Sequence, residues 1–253
     1  MCVIQSDTLW TNKKLNDKKK ILFLGASITQ GKISKSFIKM LKEKLGTKQY
    51  IFINQGVAGY ESYNILKKLY KGIRTNPDFV ILLVGTNDVL SSLDPKLAKL
   101  SRKLKHIPHE PTLNHYFNNI TSIVKNLKQE TQSRIAIASL PVVGENLDSI
   151  ENKTISKYNA ELKKIAENEN IAYLTVHEKQ KNYLINEING KGKDYIRNTK
   201  IAFKSLFLHY LLFMSLDTIS GKNGYLLLTD GIHQNSLGAK FIADEIENFI
   251  KDK

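Results

Sequence analysis

Five short apolar runs, each closed by turn residues, punctuate this chain. The first is Ile21-Leu22-Phe23-Leu24, which runs straight into Gly25-Ala26-Ser27 and then Gly31. Tyr50-Ile51-Phe52-Ile53-Asn54, Phe79 to Val84, Arg134 to Leu140 and the shorter Ile171 to Val176 follow. Runs this short and this uniformly apolar suit strands buried on both faces. Between them apolar residues return at helical spacing: Ile33, Phe37, Met40, Leu41 and Leu45 before Gly46, then Ile65, Leu66, Leu69, Tyr70 and Ile73. A less regular stretch holds Pro95, Pro108 and Pro111. Helical spacing resumes in Tyr116, Phe117, Ile120, Ile123, Val124 and Leu127, and again in Ile155, Tyr158, Leu162 and Ile165. After a polar interval the last helix carries Phe241, Ile242, Ile246 and Ile250, opened by Asn235 or Ser236.

Strands alternating with helices predict an α/β fold: a parallel sheet with helices on both faces, in one domain over residues 1–253. Residues 1–20, polar and rich in lysine, read as a surface arm. Residues from about 190 to 225 read as an apolar helical insertion. In open sheets of this kind, sites form at the carboxyl ends of the strands. The turn residues after Leu24, Asn54 and Val84 all fall at that edge.

Composition narrows the function classes. The net charge is +14, from 38 Lys and Arg against 24 Asp and Glu. The excess is lysine, since arginine occurs only at Arg74, Arg102, Arg134 and Arg197. Base-edge readers rely on arginine forks, so no specific nucleic-acid partner is expected. The basic field favours anionic substrates, or peripheral contact with an anionic membrane. The lone Cys2 excludes an internal disulfide framework. The polar start lacks a secretory pattern, and no uncharged run is long enough to span a bilayer. The expectation is a cytoplasmic protein.

Candidate chemistry gathers at the strand ends. Ser27 is either a helix cap or a nucleophile, and its own segment does not decide between them. A nucleophilic serine needs a base, and His233 in Asp230-Gly231-Ile232-His233 supplies one. Asp230, three residues earlier, can orient the imidazole. Oxyanion donors are available at the Gly56 N–H, the Asn87 side-chain amide and the Ser27 N–H. Each piece alone is unspecific; their joint occurrence at strand ends is not.

With these four segments the chain resembles the SGNH, or GDSL, hydrolases. The blocks are Gly25-Ala26-Ser27-Ile28-Thr29, Asn54-Gln55-Gly56-Val57-Ala58-Gly59, Gly85-Thr86-Asn87-Asp88 and Asp230-Gly231-Ile232-His233, spread over residues 20 to 250. The resemblance implies a three-layer α/β/α, flavodoxin-like fold with a five-stranded parallel sheet. It implies a cofactor-free and metal-free serine esterase, lipase or lysophospholipase acting on small-molecule or lipid esters. By the same match Ser27, Asp230 and His233 form the triad, and Ser27, Gly56 and Asn87 the oxyanion hole. One departure stands out: Ala26 replaces the family's usual aspartate, removing a carboxylate that would brace the serine loop.

Two further segments are singled out. His106-Ile107-Pro108-His109-Glu110 groups ligand-type residues, but no metal-hydrolase motif accompanies it. It reads as a proline-rich loop that could form one wall of the cleft. Ile201 to Met214 reads either as a buried helix or as an apolar wall or lid, with Phe207 and Leu211 contacting substrate. The same triad would also serve an O-acyltransferase or a carbohydrate-ester deacetylase. A catalytically weak binding module is the alternative of another class.

Overall fold

The computed structural model describes residues 18–196 and 199–252. In chain order its strands are β1 (Lys19–Gly25), β2 (Tyr50–Gly56), β3 (Phe79–Leu83), β4 (Arg134–Ala138) and β5 (Ala172–Leu174). The helices are α1 (Ser27–Gln30), α2 (Phe37–Leu45), α3 (Ser62–Ile73), α4 (Thr86–Leu93), α5 (Pro95–Lys105) and α6 (Leu113–Glu130). They continue as α7 (Ile150–Asn168), α8 (Val176–Ile188), α9 (Thr199–Tyr210), α10 (Leu216–Asn223) and α11 (Ser236–Lys251). All strand pairs are parallel, in the order β2-β1-β3-β4-β5.

The apolar runs sort their side chains by parity, as the pleat of a strand requires. Leu22, Leu24, Val80, Leu82, Ile135 and Ile137 enter one core with residues of α3, α4, α6 and α7. Ile21, Phe23, Phe79, Ile81, Ala136 and Ala138 enter the other with α2 and α11. This is the expected three-layer sandwich with a five-stranded parallel sheet. In this strand order the winding reverses between β1 and β3, where the crevice at the carboxyl edge opens. Register places Gly25 opposite both Gly56 and Leu83, so the ends of β1, β2 and β3 lie side by side.

Several expectations need correcting. Lys19 and Lys20 belong to β1 rather than to an arm, and residues 1–17, with Cys2, lie outside the described residues. The helix expected from Ile33 to Leu45 is α2, which begins at Phe37, capped by Ser36, so Ile33 precedes it. Tyr70, assigned to an apolar face, is exposed under the Arg74 guanidinium. The stretch around Pro95 is helical: Asp94 caps α5, and Pro95 sits in its first turn, where a missing N–H costs nothing. The polar interval after β5 contains α8, whose buried face is His177, Gln180 and Leu184, so polar residues mask its period. The fifth strand ends at Leu174, and Val176 already belongs to α8. Among the described residues, no helix is long and apolar enough to cross a membrane.

Candidate active site

Ser27 opens α1 immediately beyond β1. Its N–H is one of the unpaired donors that every helix presents at its start, while its carbonyl accepts from Gly31 N. The Ser27 Oγ lies 2.9 Å from His233 Nε2. His233 Nδ1 lies 2.8 Å from Asp230 Oδ2. The second carboxylate oxygen of Asp230 accepts the backbone N–H of His233 at 2.9 Å and of Ile232 at 3.1 Å. The aspartate is thus locked by its own loop. A carboxylate at Nδ1 keeps the proton there and leaves Nε2 free to accept from the serine. Burial pushes the Asp230 carboxyl up. The His233 charge, its ring N–H and the two backbone N–H groups outweigh this and hold it below the usual carboxylate value.

Neighbouring loops fix this segment from two sides. Gln234 N donates to Ser34 Oγ at 2.9 Å and Lys35 N to Gln234 O at 2.8 Å, tying the residues after α1 to the histidine. From the end of β4, Gly144 N donates to Gly231 O at 2.8 Å. Beside it the buried Glu145 carboxylate accepts Leu227 N at 2.7 Å, Leu226 N at 2.8 Å and Leu228 N at 3.2 Å. Burial raises the Glu145 carboxyl, and those three N–H groups oppose the rise. Sequence reasoning missed Glu145. The available signal was a lone carboxylate next to glycine, in the loop that follows the apolar run of β4.

The oxyanion donors need one correction. Gly56 lies within β2, and its N–H donates to Asn54 Oδ1 at 2.8 Å, so it is already engaged. Gly56 is needed for space: a Cβ there would fall 2.3 Å from Gln30 N of α1. Gly59, two turn residues further on, has φ 76 in a turn closed by Tyr60 N to Val57 O. Among the described residues its N–H has no protein partner. Asn87, in the first turn of α4, donates one amide hydrogen to Tyr60 O at 2.8 Å and keeps the second. Two glycines in one loop gave the sequence no basis for choosing between them.

Ala26, Ser27, Thr86, Asn87 and Ile232 line a cleft of about 10 Å³ at the serine. Phe207 and Leu211 are not in its lining. Both are more than half exposed at the end of α9, which corrects the reading of that stretch as a buried helix. The described part of this helix begins at Thr199, with side-chain placement given from Lys204 onward, so Ile201 and Phe203 lie outside it. His109 stacks on His115 at 4.0 Å and meets Tyr63 edge-on, away from the cleft lining. Among the described residues, no group of three His, Cys, Asp or Glu side chains could hold a metal ion.

Comparison with known proteins places this geometry. The chain is similar in structure to the acetyl xylan esterase AlAXEase, at 21% identity over 91% of this chain and 99% of that one, with a TM-score of 0.66. It is also similar to an acetylxylan esterase from Geobacillus stearothermophilus, at 17% identity over 95% and 97% of the two chains and a TM-score of 0.66. Solved catalytic mutants of that esterase replace a serine, an aspartate and a histidine, the last two three positions apart. No curated protein matches the chain. The family model described as GDSL-like lipase/acylhydrolase matches residues 23–240, and the chain therefore belongs to this family of carboxylic ester hydrolases.

Proposed function

We propose that the chain hydrolyses short-chain acyl esters, with Ser27 as nucleophile, His233 as general base and acid, and Asp230 as orienting carboxylate. The observation that carries this is the continuous chain of contacts from Ser27 Oγ through the imidazole to Asp230, at 2.9 and 2.8 Å. His233 takes the serine proton as Ser27 attacks the ester carbonyl. The Ser27 N–H, the free amide hydrogen of Asn87 and the Gly59 N–H then hold the oxyanion. His233 next protonates the leaving alcohol, and water releases the acid by the same steps in reverse.

The related solved structures are acetyl xylan esterases, so an acetylated carbohydrate is the reading we favour over a lipase or lysophospholipase. Transfer to a second alcohol would use the same acyl-enzyme, and product analysis with and without an acceptor alcohol separates the two.

The test is direct. Ser27→Ala should abolish hydrolysis of an aryl acetate and labelling by a fluorophosphonate probe. Persistence of either sinks the assignment. A panel of aryl esters from acetate to octanoate should lose turnover steadily with length; equal rates across the panel would overturn the short-acyl reading.

A further inference from the structure

The end of α9 presents apolar side chains that the described residues leave uncovered. Phe207, Tyr210, Leu211, Leu212 and Phe213 are each more than half exposed, which is five of the seven positions from 207 to 213. Phe207, Tyr210 and Leu211 share one helical face, and Leu212 and Phe213 continue past its last turn. Single exposed apolar residues are ordinary on a soluble protein; a contiguous group is not.

Phe213 makes the case sharper. The helix is closed by Leu211 N to Phe207 O and Met214 N to Leu208 O, both 3.0 Å, and this closure puts Phe213 at φ 50. A left-handed backbone is disfavoured for any residue with a Cβ, and glycine is the usual occupant at a helix end. Yet Phe213 is 89% exposed, so little packing against the described residues offsets the strain.

The apolar tip is anchored beside both halves of the candidate active site. Tyr210 Oη donates to Lys32 O at 2.5 Å, just past the helix that carries Ser27. Asn223 Nδ2 bridges Ser205 Oγ at 3.4 Å and Thr229 O at 2.7 Å, next to Asp230. Lys32, whose carbonyl holds Tyr210, and Lys204, one turn before Phe207 on α9, are exposed. Asp217, four positions after Phe213, is exposed as well and accepts from the Ser236 N–H and hydroxyl. An exposed apolar wedge with lysines beside it, on a chain of net charge +14, complements an anionic lipid surface.

We propose that the segment from Phe207 to Phe213 is a peripheral docking surface for anionic phospholipid bilayers, with Leu212 and Phe213 inserted and Lys32 and Lys204 at the headgroups. The helix lies on the membrane and does not span it. This rests on the esterase reading only for its consequence, which is to bring the Ser27 cleft to esters displayed at a membrane surface. On the acetyl-ester reading the bilayer is the place of work and not the acyl donor.

Vesicle co-sedimentation of the full chain tests this, with phosphatidylcholine alone or with about one third phosphatidylglycerol. The chain should bind the anionic vesicles only, and added salt should weaken binding. Leu212→Ser with Phe213→Ser should cut binding roughly tenfold or more while aryl acetate hydrolysis stays unchanged. Phe213→Gly should also weaken binding, yet raise the thermal midpoint by relieving the left-handed position. Ser27→Ala should bind like the parent, so loss of esterase activity with retained binding leaves docking standing and removes only the esterase reading. Absence of binding to anionic vesicles would overturn the proposal, as would undiminished binding by the double variant. So would a concentration-dependent dimer that the double variant dissolves, since it would assign the face to a second copy.

Discussion

The Glu145 carboxylate holds the backbone N–H of Leu227 at 2.7 Å, and so fixes, from the loop between β4 and α7, the segment that ends in Asp230 and His233. Glu145 touches neither the serine nor the imidazole. It is a positioning residue, and its removal should show in turnover. Glu145→Gln can keep an oxygen where Oε1 accepts Leu226 to Leu228, but it sets an NH2 against Leu226 N in place of Oε2 and loses the charge of the acceptor, at a cost of about 1–3 kcal/mol. The thermal midpoint should drop by about 2–4 °C for each kcal/mol lost. The kcat for an aryl acetate should fall with KM unchanged, and fluorophosphonate labelling should slow in parallel. A destabilised variant with parental kcat would reduce Glu145 to a structural residue.

Asp230→Asn preserves the shape of the triad but not its proton arrangement, because an amide no longer enforces a proton on Nδ1. Turnover should drop by about four powers of ten. The same variant has a stability signature. The folded value of Asp230 lies below its unfolded one, so its contribution is complete above the unfolded value. It is lost as pH falls through the depressed folded value. Acid titrations of thermal stability should therefore be shallower at their acid end in the variant. Identical acid limbs would contradict the shift.

Asp88 predicts the opposite slope. Burial and the charge of Glu61 push it up to about 7, against hydrogen bonds from the Ser62 N–H and hydroxyl. The folded chain then keeps a proton that the unfolded chain has released. Stability from this group is complete below its unfolded value of 3.8 and is lost as pH rises through about 7. Urea midpoints should decline across that window in the parent and flatten in Asp88→Asn. A parent curve that rises there would refute the assignment.

Ala26 caps α1 without a side-chain hydrogen bond, and the buried Thr29 hydroxyl nearby has no partner. Ala26→Asp supplies an acceptor for the free N–H groups of the first turn, worth about 1 kcal/mol at a helix start. The thermal midpoint should rise by about 2–4 °C, with a measurable change in fluorophosphonate labelling rate. Unchanged values of both would show that the serine loop needs no brace.

The fold was legible because β1, β3 and β4 are apolar at consecutive positions, which only a doubly covered strand requires. The candidate triad could be proposed from sequence because Asp230 and His233 are close in the chain and Ser27 follows a buried run. Polar residues that face inward hid the rest: Gln180 and His177 made α8 look like a solvated interval. Gly56 and Glu145 failed for a related reason. Which N–H is already engaged, and which carboxylate it meets, depends on contacts between segments far apart in the chain. Neither leaves a periodic trace.

Ser27 and His233 are 206 positions apart yet share a hydrogen bond. On the proposed assignment, a chain emerging from the ribosome at about 5–20 residues per second exposes Ser27 roughly 10–40 s before His233 is made. During that interval the serine is an ordinary alcohol, unable to acylate itself on passing esters. Reactivity arrives only when the His233 segment, with α11 behind it, closes onto the sheet. Gain of labelling in timed translation would therefore report completion of the fold and not synthesis of the serine.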